Sequence, residues 1–159
     1  MPFTVPIAPP DWPRQHVVHW LRLALERFDA RVMALMAHHP GVPLGLSNLA
    51  ARGQVSAAHI HITRHLPPEG ARLSALAQRA GMSKQAMGAL VSQCEAWGMV
   101  TRAPDPHDAR ARQVRFTAIG LAWLLAYQEA VQQTEDELRA AVGADVATVI
   151  ALGLEAYSS

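Results

Sequence analysis

The pattern of apolar and polar positions predicts a mainly α-helical chain with one short β-ribbon. A long amphipathic helix is expected from about Asp11 to His38, because apolar side chains recur across it at helical spacing. Its apolar face is too wide for a helix that packs on one side only, so we expect burial both by its own domain and by a second chain. The apolar residues concerned are Trp20, Leu21, Leu25, Phe28, Val32, Leu35 and Met36.

Proline and glycine divide the next part of the chain. The segment 40–43 breaks the long helix, and residues 44–52 form either a short helix or a loop. A further helix is expected from Val55 to about His65, with Ile60, Ile62 and Leu66 as core residues, and it ends at the Pro- and Gly-containing segment 67–70.

A helix-turn-helix is predicted over residues 73–98. The first helix packs through Leu76, Ala77 and Ala80, and Gly81 permits a sharp corner after it. Ser83 stands where an N-cap belongs, and Gly98 ends the second helix. The apolar stripe of this second helix has the spacing i, i+3, i+4, i+7 and consists of Met87, Leu90, Val91 and Cys94.

The period changes after Gly98, which predicts a two-stranded wing. Residues 99–102 and 112–117 are short and rich in β-forming side chains, and Val114 and Phe116 share one face. Residues 103–110 between them contain Pro and Asp and are expected to form a loop. Asp108 and Arg110 could pair there and stiffen the tip.

Two apolar helices are predicted after the wing. Thr117 is expected to cap a helix that reaches Val142 and stops at Gly143, and Asp145 opens the last helix. Both are too apolar for the surface of a monomer, which argues for a helical dimer interface. Their apolar residues are Ile119, Leu121, Trp123, Leu124, Tyr127, Val131, Leu138, Val146, Val149, Ile150, Leu152 and Leu154.

Several motifs in this central stretch resemble the MarR family of winged-helix transcriptional regulators. The specific part is a wing sequence Asp-Pro-X-Asp-X-Arg-Ala at 105–111, followed by Thr-X-X-Gly at 117–120. Leu-Ala at 76–77, Gly-Met-Ser-Lys at 81–84 and Trp-Gly-Met-Val-Thr-Arg at 97–102 accompany it. The strong part of the match covers about a third of the chain, and helix order extends it over nearly all of it.

The resemblance implies a winged helix-turn-helix with N- and C-terminal helices that form a dimerisation region. We divide the chain into a loose arm (1–10), a dimerisation helix with connector (11–52), a winged helix-turn-helix (53–117) and C-terminal dimerisation helices (118–159), all in one structural domain. Members of the family are obligate dimers that bind pseudo-palindromic duplex DNA, often as repressors that a small ligand releases. We therefore expect a DNA-binding regulator that is not an enzyme and needs no cofactor.

The candidate DNA contacts lie on the second helix and the wing. Lys84 and Gln85 open the recognition helix, where Gln can bind adenine bidentately and Lys can reach guanine or a phosphate. Arg110 at the wing tip is expected to enter a minor groove. Ser83 serves equally well as a cap or a phosphate ligand. The full set of expected DNA-contacting residues is Ser83, Lys84, Gln85, Gly88, Ala89, Arg102, Asp108, Arg110 and Arg112.

The chain departs from the family where long side chains would contact DNA. Gly88 and Ala89 stand where the family often carries a hydroxyl and an arginine, and Ala109 replaces a second basic wing residue. Sequence recognition is then expected to depend on Lys84, Gln85, a methyl contact and DNA shape. These small residues also keep open the alternative of a winged-helix module that binds protein.

Charge and composition agree with a DNA-binding globular protein. Half of the 159 residues are hydrophobic, and no apolar run is long enough to cross a membrane. Residues 72–115 hold seven Lys/Arg and three Asp/Glu, a balance of +4, against seven and ten, or −3, in the remainder. One cysteine and an N-terminus without signal-peptide features fit a reducing cytoplasm. Cys94 itself occupies a core position, which argues against a redox sensor.

The sequence contains candidates for two kinds of small-molecule site, a zinc site and an effector pocket. His61 and His65 stand at i and i+4, a spacing that can grip zinc in a metal-responsive regulator, but no adjacent Cys or carboxylate completes a ligand set. An effector site is preferred: the resemblance to the MarR family implies a pocket between the dimer helices and the DNA-binding unit, and His16, Trp20, His59 and Arg64 are candidates for its wall and anchors towards a small aromatic acid or similar ligand. No Gly-rich phosphate loop or nucleophile elbow suggests an enzyme.

Overall fold

The computed structural model describes residues 14, 16–55, 59, 62, 64–105 and 108–159, with only the backbone at residues 109 and 110. Helices precede and follow a helix-turn-helix and a small sheet, which confirms the prediction of a mainly α winged-helix fold. The helix expected from Val55 to about His65 agrees with the helical conformation of residues 59, 62, 64 and 65. The remaining elements are α1 (Val17–His38), α2 (Leu44–Ala51), β1 (Ala71–Arg72), α3 (Leu73–Arg79), α4 (Lys84–Ala96), β2 (Val100–Asp105), β3 (Asp108–Phe116), α5 (Ala118–Val142) and α6 (Ala144–Ser158).

The sheet is antiparallel with the strand order β1-β3-β2. Both wing strands continue into the segment 103–110, so the prediction of a loop there was wrong for most of it. Pro104 is compatible with strand structure because β2 lies at an edge of the sheet, where a missing N–H disrupts no second ladder. The strand β1 was not predicted, because two residues carry no periodicity.

A single hydrophobic core joins the second half of α1, α2, the helix-turn-helix, the base of the wing and α5. Trp123, Met36, Leu76 and Met87 are fully buried in it. The expected stripe of the second helix is confirmed, because Met87, Val91 and Cys94 are buried and Leu90 packs against them. The helix-turn-helix and the wing are thus held to the terminal helices by continuous apolar packing rather than by a linker.

The long N-terminal helix is confirmed, but two parts of its prediction were wrong. It begins at Val17 rather than near Asp11, because His16 is extended with φ −107° and ψ 134°. Its first half is not buried by its own domain: Trp20, Leu21 and Leu25 are exposed, whereas Val32 and Met36 are buried. The expected arm at 1–10 lies outside the described residues.

The C-terminal helices follow the predicted boundaries closely. Thr117 Oγ1 accepts a hydrogen bond from the amide of Gly120 at 3.1 Å, and α5 ends before Gly143, whose φ is +90°. In α6, which starts one residue before Asp145, only Ala147 is buried. Among the described residues no single helix is both long and apolar enough to cross a membrane; only α5 and α6 taken together, bent by 118°, have that length and composition.

Candidate nucleic-acid interface

The recognition helix α4 is anchored at both ends by local hydrogen bonds. Ser83 Oγ accepts from the amide of Ala86 at 3.1 Å, as predicted for an N-cap. Gly81 turns the chain between α3 and α4 with φ +62°, a conformation that glycine adopts without strain. At the other end, the amide of Met99 donates to Cys94 O at 2.9 Å, with Gly98 at φ +73°. The helix is therefore fixed in length and direction.

One face of α4, opposite its buried stripe, is a strip exposed to solvent. Gln85, Ala89, Ser92 and Ala96 are exposed and recur at i, i+4, i+7 and i+11, the spacing of one helical face. Lys84 is exposed beside this strip in the first turn. The strip has few long side chains, so a flat macromolecular surface can approach the backbone of α4 closely.

Gly88 lies at the edge of this face rather than at its centre. The residue is half-buried, and a Cβ atom built on it would lie 3.7 Å from Leu73 Cδ2 of the neighbouring helix. Its position therefore belongs to the junction of α3 and α4. Ala89, the next residue, has its side chain on the exposed strip.

The flank of α4 opposite the wing is fixed by a buried histidine. His59 Nε2 lies 2.9 Å from Gln93 Oε1, and its ring packs on Trp97 with ring centroids 4.7 Å apart. His59 is only 6% exposed, so its ring is buried where it packs against α4. This histidine, a candidate for the effector pocket, packs against the recognition helix.

The other flank of α4 is tied to the wing by Arg102. Its Nη1 donates to Glu95 Oε2, its Nη2 donates to Ser92 Oγ at 2.9 Å, and its backbone amide donates to Glu95 Oε1 at 3.1 Å. Nη2 also lies 3.4 Å from the carbonyl of Gly88. Arg102, expected to contact phosphate, thus has its guanidinium engaged along one side of the recognition helix.

The wing tip is held by an arginine that sequence reasoning did not single out. Arg72 Nε donates to Asp105 Oδ2 at 2.7 Å, and its Nη2 lies 3.4 Å from Asp108 Oδ2. The side chain of Asp105 is 3% exposed, so the guanidinium compensates a buried carboxylate. The hydrogen bond to Asp105 raises the pKa of Arg72 above its usual value.

Arg112 and Arg115 are the other arginines of β3 whose side chains the structure describes. Arg112 is exposed, with Nη1 3.5 Å from the carbonyl oxygen of Arg102. Arg115 donates twice to Gln113 Oε1. The side chain of Arg110 is outside the described part of the chain, so its pairing with Asp108 stays a prediction.

The four candidate effector residues contact different neighbours. Trp20 is exposed and donates from Nε1 to the carbonyl of Arg14. Arg64 donates to Tyr127 OH at 3.1 Å and lies 3.8 Å from Asp29 Oδ1, between α5 and α1. His16 is exposed before α1, and His59 packs on α4 as described. Within this one chain their described contacts do not unite them in a single pocket.

The proposed histidine pair for zinc stays untested, because His61 lies outside the described residues. Among the residues that the structure does describe, no group of three or more His, Cys, Asp or Glu side chains is arranged to hold a metal ion.

The fold and this interface define a winged helix-turn-helix protein. Residues 60–111 match the model of the MarR family, and no curated protein matches the chain. This match spans the recognition helix and the wing motif, so this part of the chain is similar to the MarR family of transcription regulators.

Solved structures share the fold at low sequence identity. The transcriptional repressor CouR bound to a 23-mer DNA duplex is 18% identical, with a TM-score of 0.70 over 98% of this chain and 100% of CouR. PcaV from Streptomyces coelicolor, in complex with its natural ligand, is 18% identical, with a TM-score of 0.64 over 96% and 97%. A mutant of MarR from E. coli is 16% identical, with a TM-score of 0.63 over 98% and 100%.

Two residues of the interface were absent from the predicted set. Ser92 lies on the exposed strip, and its i+7 spacing from Gln85 could have indicated this. Arg72 could not be found from sequence, because its carboxylate partners are 33 and 36 residues away and only the fold brings them together.

Proposed function

We propose that this regulator binds duplex DNA as a homodimer, recognises a pseudo-palindromic operator, and represses transcription until a small ligand releases it. The observation that carries the proposal is the exposed strip of α4, which stands between two fixed flanks beside the wing. Its Gln85 can hydrogen-bond to base edges, and the methyl group of Ala89 can contact thymine. Lys84 and Arg112, both exposed, add positive charge for phosphate contacts.

A second copy of the chain is supported by apolar faces that this chain leaves exposed. Val17, Val18 and Leu21 in α1 and Val149 and Leu152 in α6 are each at least 40% exposed. So large an apolar surface near both termini is unusual for a monomer. In a two-fold dimer, the two recognition helices would enter major grooves about one helical turn apart, ~34–36 Å.

Release by a ligand is supported only by the named relatives. CouR has been solved with p-coumaroyl-CoA, and PcaV with its natural ligand. A ligand that favours a dimer with wrongly spaced recognition helices would lower DNA affinity through its differential binding to that state. Trp20 and Arg64 stay candidates for such a site, which a second copy would have to complete.

Selection of bound duplexes from a random pool tests DNA binding directly. The expected product is a motif with two inverted half-sites, bound with an affinity that falls steeply with salt. Gln85→Ala should change the preference between half-site sequences, whereas Arg110→Ala should weaken binding to all of them and reduce the salt slope. No enrichment, and no binding to any duplex at low ionic strength, would contradict the proposal and favour a protein-binding winged helix.

The dimer is tested by sedimentation of the wild type and of Val149→Glu. Val149 is 69% exposed in the single chain, so a charge there should not disturb the fold of a monomer. The variant is expected to sediment as a monomer and to lose high-affinity binding to the two-half-site duplex. Gln128→Glu, at an exposed polar position of α5, is the matched control and should remain dimeric.

A further inference from the structure

The ladder of the wing strands is irregular near its tip, and one arginine outside the wing contacts the residues there. Pro104 pairs with Arg112, but the next residue, Asp105, pairs with Asp108. One step along β2 therefore corresponds to four steps along β3, and residues 109–111 bulge out of the ladder. The bulge contains Arg110, the residue expected to enter a minor groove.

Arg72 contacts both residues that define this bulge. The side chain approaches from β1, the strand on the far side of β3, and reaches Asp105 and Asp108 with separate nitrogens. The residue is also the N-cap of α3, the first helix of the helix-turn-helix. A single guanidinium thus connects the wing tip to the start of the helix-turn-helix.

A planar guanidinium with several fixed donors can hold two carboxylates in one geometry, which an ammonium group cannot do equally well. The clamp also compensates a carboxylate that is 3% exposed, and such a charge would be costly without a partner. Removal of Arg72 would therefore take a charged partner from both Asp105 and Asp108 and loosen their hold on the tip.

We propose that Arg72 is a positioning residue for DNA binding, which fixes the wing tip through Asp105 and Asp108 in the orientation that meets the duplex. The inference rests on the proposed DNA-binding function. It differs from a direct phosphate contact by Arg72, whose side chain is 48% exposed. In the positioning role the acidic partners are as necessary as the arginine, although acids repel DNA.

Charge variants separate the two roles. The probe is a fluorescein-labelled duplex selected from the random pool, measured by anisotropy over a range of salt concentrations. Arg72→Gln is expected to weaken binding about tenfold. Asp105→Asn, which removes a negative charge near the duplex, should also weaken binding. Asp108→Asn, at a 44% exposed side chain, tests the same point with little risk to folding. Arg72→Lys, which keeps the charge but not the fork, should recover only part of the affinity.

Arg52→Gln is the matched control, because Arg52 is exposed and lies outside the winged helix. It loses the same charge and should bind nearly as the wild type does. A double-mutant cycle completes the design: Arg110→Ala should cost less affinity in the Arg72→Gln background than in the wild type, because a misplaced tip no longer presents its arginine.

Tighter binding by Asp105→Asn or Asp108→Asn, or additive effects of Arg72→Gln and Arg110→Ala, would overturn the clamp and assign Arg72 to direct phosphate contact. If Asp105→Asn fails to fold, as thermal melting would reveal, Asp108→Asn and the cycle decide. If the wild type binds the duplex and the variants bind it equally well, only the clamp is refuted. Wild type that binds no duplex refutes the proposed function and this role together.

Discussion

Arg102 in the wing and Glu95 in the recognition helix are joined by both side chain and backbone. The guanidinium of Arg102 donates to one carboxylate oxygen of Glu95, and the backbone amide of Arg102 donates to the other at 3.1 Å. Two hydrogen bonds to one carboxylate orient strand β2 relative to α4. The wing and the recognition helix should therefore behave as one rigid unit.

This relationship predicts that Arg102→Ala weakens DNA binding without loss of a phosphate contact. The affinity should fall several-fold, but the slope of log affinity against log salt should stay that of the wild type, because the guanidinium is engaged with Glu95 and Ser92. Glu95→Gln should weaken binding similarly although it removes a negative charge. Anisotropy titrations at several salt concentrations measure both effects.

Arg112→Ala is the comparison that gives this test its contrast. Arg112 is exposed on β3 and is a candidate phosphate contact, so its removal should reduce the salt slope by about 1. Arg102→Ala with an equally reduced slope would show that Arg102 contacts the DNA backbone instead.

The sequence predicted the elements whose signals are local. The cap at Ser83, the stop at Gly98, the stripe of Met87, Val91 and Cys94 and the helix from Thr117 to Val142 all depend on residues within one or two turns of one another. The structure confirms each of them.

What the sequence did not predict depends on contacts between distant segments. Strand β1 has no pattern of its own and exists because it pairs with Val114 and Gln113. The role of Arg102 as a partner of Glu95 and that of Arg72 as a clamp follow from packing, since an exposed strand arginine has the same sequence signature in either case. The sequence did not show which half of α1 its own domain buries, because periodicity marks an apolar face but does not say which chain covers it.

Gly120, three residues after Thr117, lies where helix α5 contacts the base of the wing. A Cβ atom at position 120 would lie 1.9 Å from Met99 O and 2.9 Å from Phe116 Cδ1, so helix α5 rests directly on the base of the wing. Gly120→Ala must push the helix and strand apart and should destabilise the fold by about 2–3 kcal/mol. Urea unfolding followed by circular dichroism measures the change.

Gly45→Ala provides the control for this substitution. The same added methyl group meets nothing within 4 Å at Gly45, which is exposed in α2, so its effect on the free energy of unfolding should be slight or stabilising. Equal stability of Gly120→Ala and the wild type would show that α5 does not approach the wing as closely as described.

An ion pair between α1 and α5 should make part of the free energy of unfolding depend on pH in the acidic range. Arg31 donates to both carboxylate oxygens of Glu137, at 2.7 and 2.6 Å, and these hydrogen bonds lower the pKa of Glu137 below its usual value of 4.5. A carboxylate whose pKa is depressed in the folded state stabilises the fold above its unfolded pKa and loses that effect as pH falls through the folded pKa.

The wild type should therefore be more stable than Glu137→Gln at neutral pH, and the difference should disappear as the pH falls below about 4.5. Both side chains are more than 40% exposed, so the difference is small and should shrink in high salt. Thermal melts of the two proteins across pH and salt test this, and a difference that grew on acidification would refute the assignment.

Cys94 should be inert to thiol reagents in the folded protein. The side chain is fully buried in the stripe of α4 that faces the core, and burial raises the pKa of its thiol to about 12. The thiol is then protonated at neutral pH and shielded from reagents, whereas oxidation and alkylation require an accessible thiolate. Iodoacetamide should label the protein in denaturant but not under native conditions, and mild peroxide should leave DNA affinity unchanged.

Cys94→Ser, which places a hydroxyl group in an apolar environment, should cost about 1–3 kcal/mol of stability, more than Cys94→Ala if the hydroxyl finds no partner. Rapid native labelling, or loss of DNA binding on oxidation that Cys94→Ala abolishes, would instead identify the recognition helix as redox-sensitive.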